Sequence, residues 1–254
     1  MNGLDVRAVQ DPMGFEYGPH VFGPAAELRR LDAIRPSLMD PTASGPDPVY
    51  AIAMDVGRCK DEPELRRRML LFGVVLYAAG TIGAEPVRSQ GHVHKVAHHS
   101  GWSPPEIFEV WSGRAIVYMQ ERAEDDPGRC FAVEALPGER VVVPPAWAHA
   151  VISADPRQPL LFGAWCDREY GFEYRDVRAH GGLAWFQRLT ANGTGWRPNP
   201  TYRQRQLQVR RARVYDELDL NPHIPLYAHI EQPDAIQWVS KPALKAKYWP
   251  DFEP

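Results

Sequence analysis

Between Val49 and Trp165 the chain is a succession of short apolar runs, each stopped by turn-forming residues, with no long helical pattern in between. That spacing leaves few architectures open. The runs predict strands over 49–56, 69–79, 90–95, 106–111, 115–120, 130–135, 140–143, 149–153 and 160–165. Ser112-Gly113, Asp125-Asp126-Pro127-Gly128, Pro137-Gly138, Pro144-Pro145 and Asp155-Pro156 mark the turns. Without helices between strands a βαβ layout is disfavoured, and the expectation is an all-β sandwich or barrel. The 25 prolines in 254 residues, about twice the usual ~5%, also favour short strands and fixed loops.

The flanks read differently. Residues 1–23 show no clear periodicity and are expected to form an arm that adds an edge strand. Pro24 to Ile34 carries Leu28, Leu31 and Ile34 on one stripe between Pro24 and Pro36, which predicts a short N-terminal helix. Asp61 to Arg68 is at most two helical turns. Arg203 to Leu218 is basic with Leu207, Val214 and Leu218 on a weak stripe, and is read as helical. Beyond it lies an irregular C-terminal tail with Pro222, Pro225, Pro233, Pro242, Pro250 and Pro254. Its Trp238, Tyr248 and Trp249 suggest docking onto the body or a second subunit. The division expected is 1–48 arm and helix, 49–202 main domain, 203–254 helix and tail.

A net charge of −3 argues against a nucleic-acid binder, and no segment approaches the ~18 apolar residues of a membrane span. Met1 to Gln10 lacks the basic-then-apolar pattern of a signal peptide. Cys59, Cys130 and Cys166 are an odd number without a CxxC. They read as reduced thiols, and a cytoplasmic location is expected.

Within the strand series sits a candidate metal site. His92 and His94 are one residue apart in a predicted strand, so both face the same way. Glu106 follows, and His149 comes from a later strand. Three imidazoles and a carboxylate suit Mn, Fe, Ni, Zn or Cu and leave positions for substrate oxygens. A small barrel's inward residues can converge on such a point. His98 and His99, in a Gly- and Pro-containing loop, read as a solvent-facing lid. Glu109, three residues past Glu106, should face the other way; Glu85 has no special claim, and Cys130 and Cys166 read as packing residues.

His92-Val93-His94, Glu106 and Gly113 resemble the first cupin motif with a lengthened gap before the glutamate. Gly138, Pro144, His149 and Ser153 resemble the second, with Ala146 where the pattern has Gly and Ser153 where it has Asn. The fold implied is the cupin double-stranded β-helix over 49–202. Further segments are similar to the cupin-type glucose-6-phosphate isomerases. They are Glu27-Leu28-Arg29-Arg30-Leu31-Asp32, Asp47-Pro48-Val49-Tyr50, Val75-Leu76-Tyr77, Gly91-His92-Val93-His94, Val142 to His149, Gly171-Phe172-Glu173-Tyr174 and Asn199-Pro200. The resemblance covers residues 14 to 202.

It implies a homodimer that interconverts an aldose phosphate and its ketose, best matched to glucose 6-phosphate and fructose 6-phosphate, with Fe, Mn, Ni or Zn as cofactor. His92, His94, Glu106 and His149 would hold the metal, which would stabilise developing enediolate charge. Glu106 would be the base, with a hydride shift as the rival route. Tyr50, Ser89, Gly91 and Tyr174 would contact sugar or phosphate. Departures cluster at the substrate end: Val74 for a phosphate-facing Thr, Phe108 for a Tyr, Phe172 for a His, and Cys166 near another expected Tyr. Each removes a hydrogen-bonding group. Two other readings follow from the same residues: a metal-dependent epimerase, lyase or dioxygenase acting on another small molecule, and a non-catalytic sugar-binding cupin.

Overall fold

Alternating residues of two sheets point into one shared interior, and that alternation builds the molecule. The computed structural model describes residues 2–190, 193–232 and 234–254; Met1 and Pro233, both named above, lie outside it. One antiparallel sheet has six strands in the order Arg140–Val143, Glu106–Ser112, Leu160–Asp167, Leu70–Tyr77, Tyr50–Met54 and Glu27–Arg29. A second has Ala148–Ser153, Ala115–Gln120, Cys130–Ala135 and Leu207–Arg211, the last pair parallel. Leu71, Val75, Phe108, Val110 and Phe162 of the first sheet pack with Val117, Met119, Phe131, Val133 and Val151 of the second. This is the two-sheet all-β body the sequence predicts; among the described residues the sheets do not join into a closed barrel.

An antiparallel sheet usually wets one face, so strands should alternate apolar and polar. Leu70–Tyr77 instead is buried at all eight positions. The reason is a third layer. Outward residues Leu70, Phe72, Val74, Ile107, Val142 and Trp165 are covered by Tyr215, Leu226, Tyr227, Trp238, Val239 and Trp249 of the C-terminal segment. The other sheet's outer face (Ile116, Tyr118, Ala132, Ala150, Ile152) is covered by Val177, Leu183, Ala184 and Tyr202. The tail therefore docks onto the body. A buried ion pair fastens it: Arg140 Nε lies 3.1 Å from Glu109 Oε2, Arg140 Nη1 donates to Asn221 O (2.7 Å), and the Leu226 N–H donates to Glu109 Oε2 (2.7 Å). Glu109 does face away from Glu106, as alternation requires.

Three local expectations are corrected. Residues 24–34 are not one helix. Glu27–Arg29 pairs with Tyr50–Met54 at the sheet edge, and only Leu31–Ile34 is helical. Likewise Leu207–Arg211 is a strand; the open edge beside Cys130–Ala135 supplies backbone partners that outweigh a weak helical stripe. The arm is a hairpin of its own, Val6–Gln10 with Met13–Tyr17, and not an added edge strand. A second hairpin, Trp185–Thr190 with Gly193–Pro198, falls where no strand was expected.

Candidate metal centre

His92 is brought in by a backbone device. Gly91 adopts φ +90°, and a Cβ there would stand 2.8 Å from Leu183 Cδ1, so only glycine makes this turn without strain or a clash. Past it, His92 pairs with His149 by two backbone bonds: the His92 N–H to His149 O at 3.1 Å, and the reverse at 2.9 Å. Their ring centroids lie 4.4 Å apart. His94, two residues on, stands 5.1 Å from the first ring and 5.0 Å from the second. Glu106 enters from the other sheet, as the first residue of its strand, opposite Val143. One ligand atom from each of the four lies within 4.8 Å of all the others. Just before His149, Ala146 sits at φ +67°. The cupin pattern has Gly here, and an L-residue in this conformation costs roughly 1–2 kcal/mol.

The hydrogen bonds around the rings fix their tautomers. His94 Nδ1 is 2.9 Å from Pro104 O, and His149 Nδ1 is 3.2 Å from Trp147 O. A carbonyl only accepts, so both Nδ1 atoms carry the proton and both Nε2 lone pairs face inward. Glu106 Oε2 stands 3.1 Å from His149 Nε2 and 3.3 Å from His94 Nε2. Nitrogen lone pairs converging on a carboxylate oxygen repel one another unless a proton or a cation lies between them. The Nε2 atoms of His92 and His94 are moreover buried without any hydrogen-bond partner. Buried polar atoms are seldom left so, and a divalent metal ion satisfies all of these atoms at once. The donor set therefore fits a metal.

Titration agrees. Burial holds His92 well below the ordinary histidine range, reinforced by His149 and His94. Burial would raise the Glu106 carboxyl, but the adjacent His149 and His94 rings outweigh it and bring it below the usual carboxylate range. For His94, burial is outweighed by the neighbouring Glu106 carboxylate, which raises it. Metal ligands must bind deprotonated, and both His92 and Glu106 are poised that way at neutral pH.

Cys166 was expected to be a packing residue. Its Sγ instead lies 2.9 Å from Glu106 Oε1. Burial, then the Glu106 charge, pushes the thiol well up, so it stays protonated and donates. The register that places it there, Trp165 opposite Ile107, depends on the strand order.

His92, Glu106 and His149 of the cluster line a pocket whose empty space, counting its mouth open to solvent, is about 620 Å³. The six-stranded sheet lines it in cross-strand rows. Arg29, Tyr50 and Tyr77 form the first row. Ile52, Val75 and Phe162 form the next, then Met54, Gly73 and Ala164 with Phe108. Beyond them Glu106 lines the pocket, and Cys166, paired with Leu71, stands behind it. Of the expected substrate contacts, Tyr50, Ser89 and Tyr174 line the pocket; Gly91 does not. The Ser89 Oγ already accepts the Val151 N–H at 3.1 Å. Phe108 and Phe172 are lining residues, Phe172 with its ring 4.4 Å from His92. Val74 is not: alternation sends it to the outer core, and Gly73 and Val75 face the pocket. Arg29, Tyr77 and Gln90 line it too and were not anticipated. Arg29 was hidden by the helical reading of 24–34, which leaves its direction undefined.

His98 and His99 are exposed and outside the cluster. Both backbone N–H groups donate to Glu169 Oε2, and His99 Nε2 lies 2.8 Å from Asp167 Oδ2. Glu85 is no idle turn residue; it is buried and paired with Arg88 at 2.9 Å. No helix among the described residues is long and apolar enough to cross a membrane.

A family model described as glucose-6-phosphate isomerase (GPI) matches residues 33–204. The chain is 27% identical over 146 residues to a putative glucose-6-phosphate isomerase 1 of Rhizobium meliloti (strain 1021), covering 56% of this chain and 63% of that protein. It is 27% identical over 120 residues to the glucose-6-phosphate isomerase of Thermococcus litoralis, covering 47% and 58%. The chain thus matches less than two thirds of the length of either relative. Among solved structures, a mutant Bacillus subtilis oxalate decarboxylase superposes with a TM-score of 0.37 at 13% identity, covering 60% of this chain and 30% of that one. So slight a likeness carries no argument.

Proposed function

This chain belongs to the glucose-6-phosphate isomerase family, and we propose from that premise that it is a metal-dependent aldose–ketose isomerase acting on a sugar phosphate. Glucose 6-phosphate and fructose 6-phosphate are the first pair to test. The observation that carries the reading is the convergence of His92, His94, Glu106 and His149 beside the pocket, with buried imidazole nitrogens lacking partners.

On this reading those four residues hold a divalent ion, Fe, Mn, Ni or Zn. When bound, it supplies Lewis-acid polarisation of a carbonyl and its neighbouring hydroxyl. The chain does the rest. Glu106 has two oxygens and two tasks: Oε2 faces the imidazoles as a ligand, while Oε1 is the base. A thiol is a weak donor, so it leaves Oε1 accessible to take a proton from C2 of the aldose and return it at C1. Tyr50 and Tyr174 hold sugar hydroxyls, and Phe108 and Phe172 exclude water from the reacting carbons. Residues 49–202 are the catalytic body and the flanks its wrapping. A homodimer and a cytoplasmic location complete the proposal, the latter supported by three free cysteines.

The apolar wall of Ile52, Val75, Phe108 and Phe162 favours a second reading: an epimerase, lyase or dioxygenase acting on a less hydroxylated molecule. One assay series separates the two. Purified protein given fructose 6-phosphate should form glucose 6-phosphate, lose the activity to a chelator and regain it with added metal. In D2O, proton transfer by Glu106 puts deuterium at C2 of the product, and a hydride shift does not. His92→Ala and His149→Ala should each lose bound metal. Metal present without isomerisation ends the first reading, and metal retained in both variants removes the site.

A further inference from the structure

We infer that Arg29, at the end of the pocket opposite Glu106, is the anchor for an anionic end group of the substrate. Among the described residues, Arg29 is the single arginine or lysine lining the pocket. It stands directly across the ladder from Tyr50, which in turn stands across from Tyr77 with ring centroids 5.0 Å apart. This row of one guanidinium and two phenols is separated from the Cys166 and Glu106 end by two largely apolar rows. Along this sheet the pocket therefore has two polar ends and a carbon-lined middle, with Ser89, Gln90 and Tyr174 on the other wall. A molecule filling it places a carbonyl and hydroxyl at the metal cluster, C–H groups against Val75 and Phe162, and a charged group at Arg29.

The guanidinium is only partly committed: one hydrogen bond joins it to Tyr50 and one ion pair to an exposed carboxylate. Its ion-pair partner is Glu27, two residues away on the same strand face, at 2.9 Å; the Glu27 side chain is 63% exposed and that of Arg29 28%. Such an exposed pair is worth at most about 1 kcal/mol. An anion entering from solvent meets a planar fork of donors with the Tyr50 hydroxyl as neighbour, the geometry that suits phosphate or carboxylate. Glu27 sits beside this site as a competing anion, which gives the assignment an opposite-signed consequence. Removing Arg29 weakens anionic ligands, and neutralising Glu27 strengthens them.

The inference rests on this pocket being a substrate site, but not on isomerisation. Calorimetric binding of fructose 6-phosphate, gluconate and fructose to the full chain, before and after chelator treatment, tests it. The wild type should bind at least one anion roughly 10- to 100-fold more tightly than fructose, the scale of one charge-assisted contact. Which anion wins identifies phosphate or carboxylate. Arg29→Met should erase that gap without lowering the thermal midpoint, Arg29→Lys should restore part of it, and Glu27→Gln should widen it. No gap in the wild type, a full gap in Arg29→Met, or a narrowed gap in Glu27→Gln overturns the assignment. Anion binding through Arg29 without turnover would fail the isomerase reading alone, and turnover with an unchanged KM in Arg29→Met would fail this one alone.

Discussion

The chemistry of the centre turns on single atoms. Glu106 is held from both sides, by imidazole nitrogens at Oε2 and by the Cys166 thiol at Oε1. Cys166 reaches the substrate only through Glu106, so it is a positioning residue. The predicted effect is signed. In Cys166→Ala, Oε1 loses a donor to its charged form and becomes more basic, moving the acid limb of kcat/KM upward by roughly 0.5 pH unit. Cys166→Ser, with a stronger hydroxyl donor, should move it downward. Metal affinity measured against a competing chelator should fall about tenfold in Cys166→Ala and stay near wild type in Cys166→Ser. A merely packed cysteine would leave both readouts where they were. His92, His94, Glu106 and His149 were legible in the sequence because strand alternation and two spaced motifs fix them locally. Cys166 and Arg29 were not, because their neighbours are set by which strands lie side by side.

At the scale of elements, the tail is the piece whose role the sequence left open. Trp238 is 1% exposed, and its Nε1 donates to Leu218 O and Ala235 O. It packs in the cluster that covers the outward side of the six-stranded sheet, the same sheet whose inward side carries the pocket. Trp238→Ala should therefore cost about 3–5 kcal/mol, the range for a large buried aromatic, read by urea denaturation. A loss below about 1 kcal/mol would mean the tail contributes little to the body's stability. Helical readings of 24–34 and 203–218 failed for one reason. Both segments lie at sheet edges, where unpaired backbone groups capture a neighbour whose own preference is weak.

For the whole molecule, acid stability is a sum of opposed histidines. His229 is buried in the tail, its Nε2 accepting the Asn221 N–H at 3.1 Å, and burial, helped by Arg140, holds it below 6.5. His92 is lowered too. A histidine lowered by folding contributes stability that is fully present above its unfolded value near 6.5 and is lost as pH falls from there toward its folded value. His94 is raised and opposes them, contributing below 6.5 and losing that contribution as pH rises through its folded value. The His94 contribution is already complete by pH 6.5, so the two losses below it predict that the metal-free protein weakens between pH 6.5 and 5. The limit is about 1.4 kcal/mol per pH unit per uncompensated histidine. His229→Gln keeps an acceptor for Asn221 and should flatten that acid slope in thermal melts from pH 7.5 to 5; an unchanged slope removes His229 from the account.

By itself the sequence determined the period-2 body, the turns between strands and the four residues that gather at the centre. These follow from side chains alternating along one strand and from glycines such as Gly91 that a local turn demands. Only the tertiary structure decided which strands are neighbours. That order puts Cys166 on Glu106, turns Val74 outward and Gly73 and Val75 inward, covers the sheet with the tail, and stands Arg29 at the pocket's far end. Each depends on contacts between residues distant in the chain, and local propensity carries no information about those.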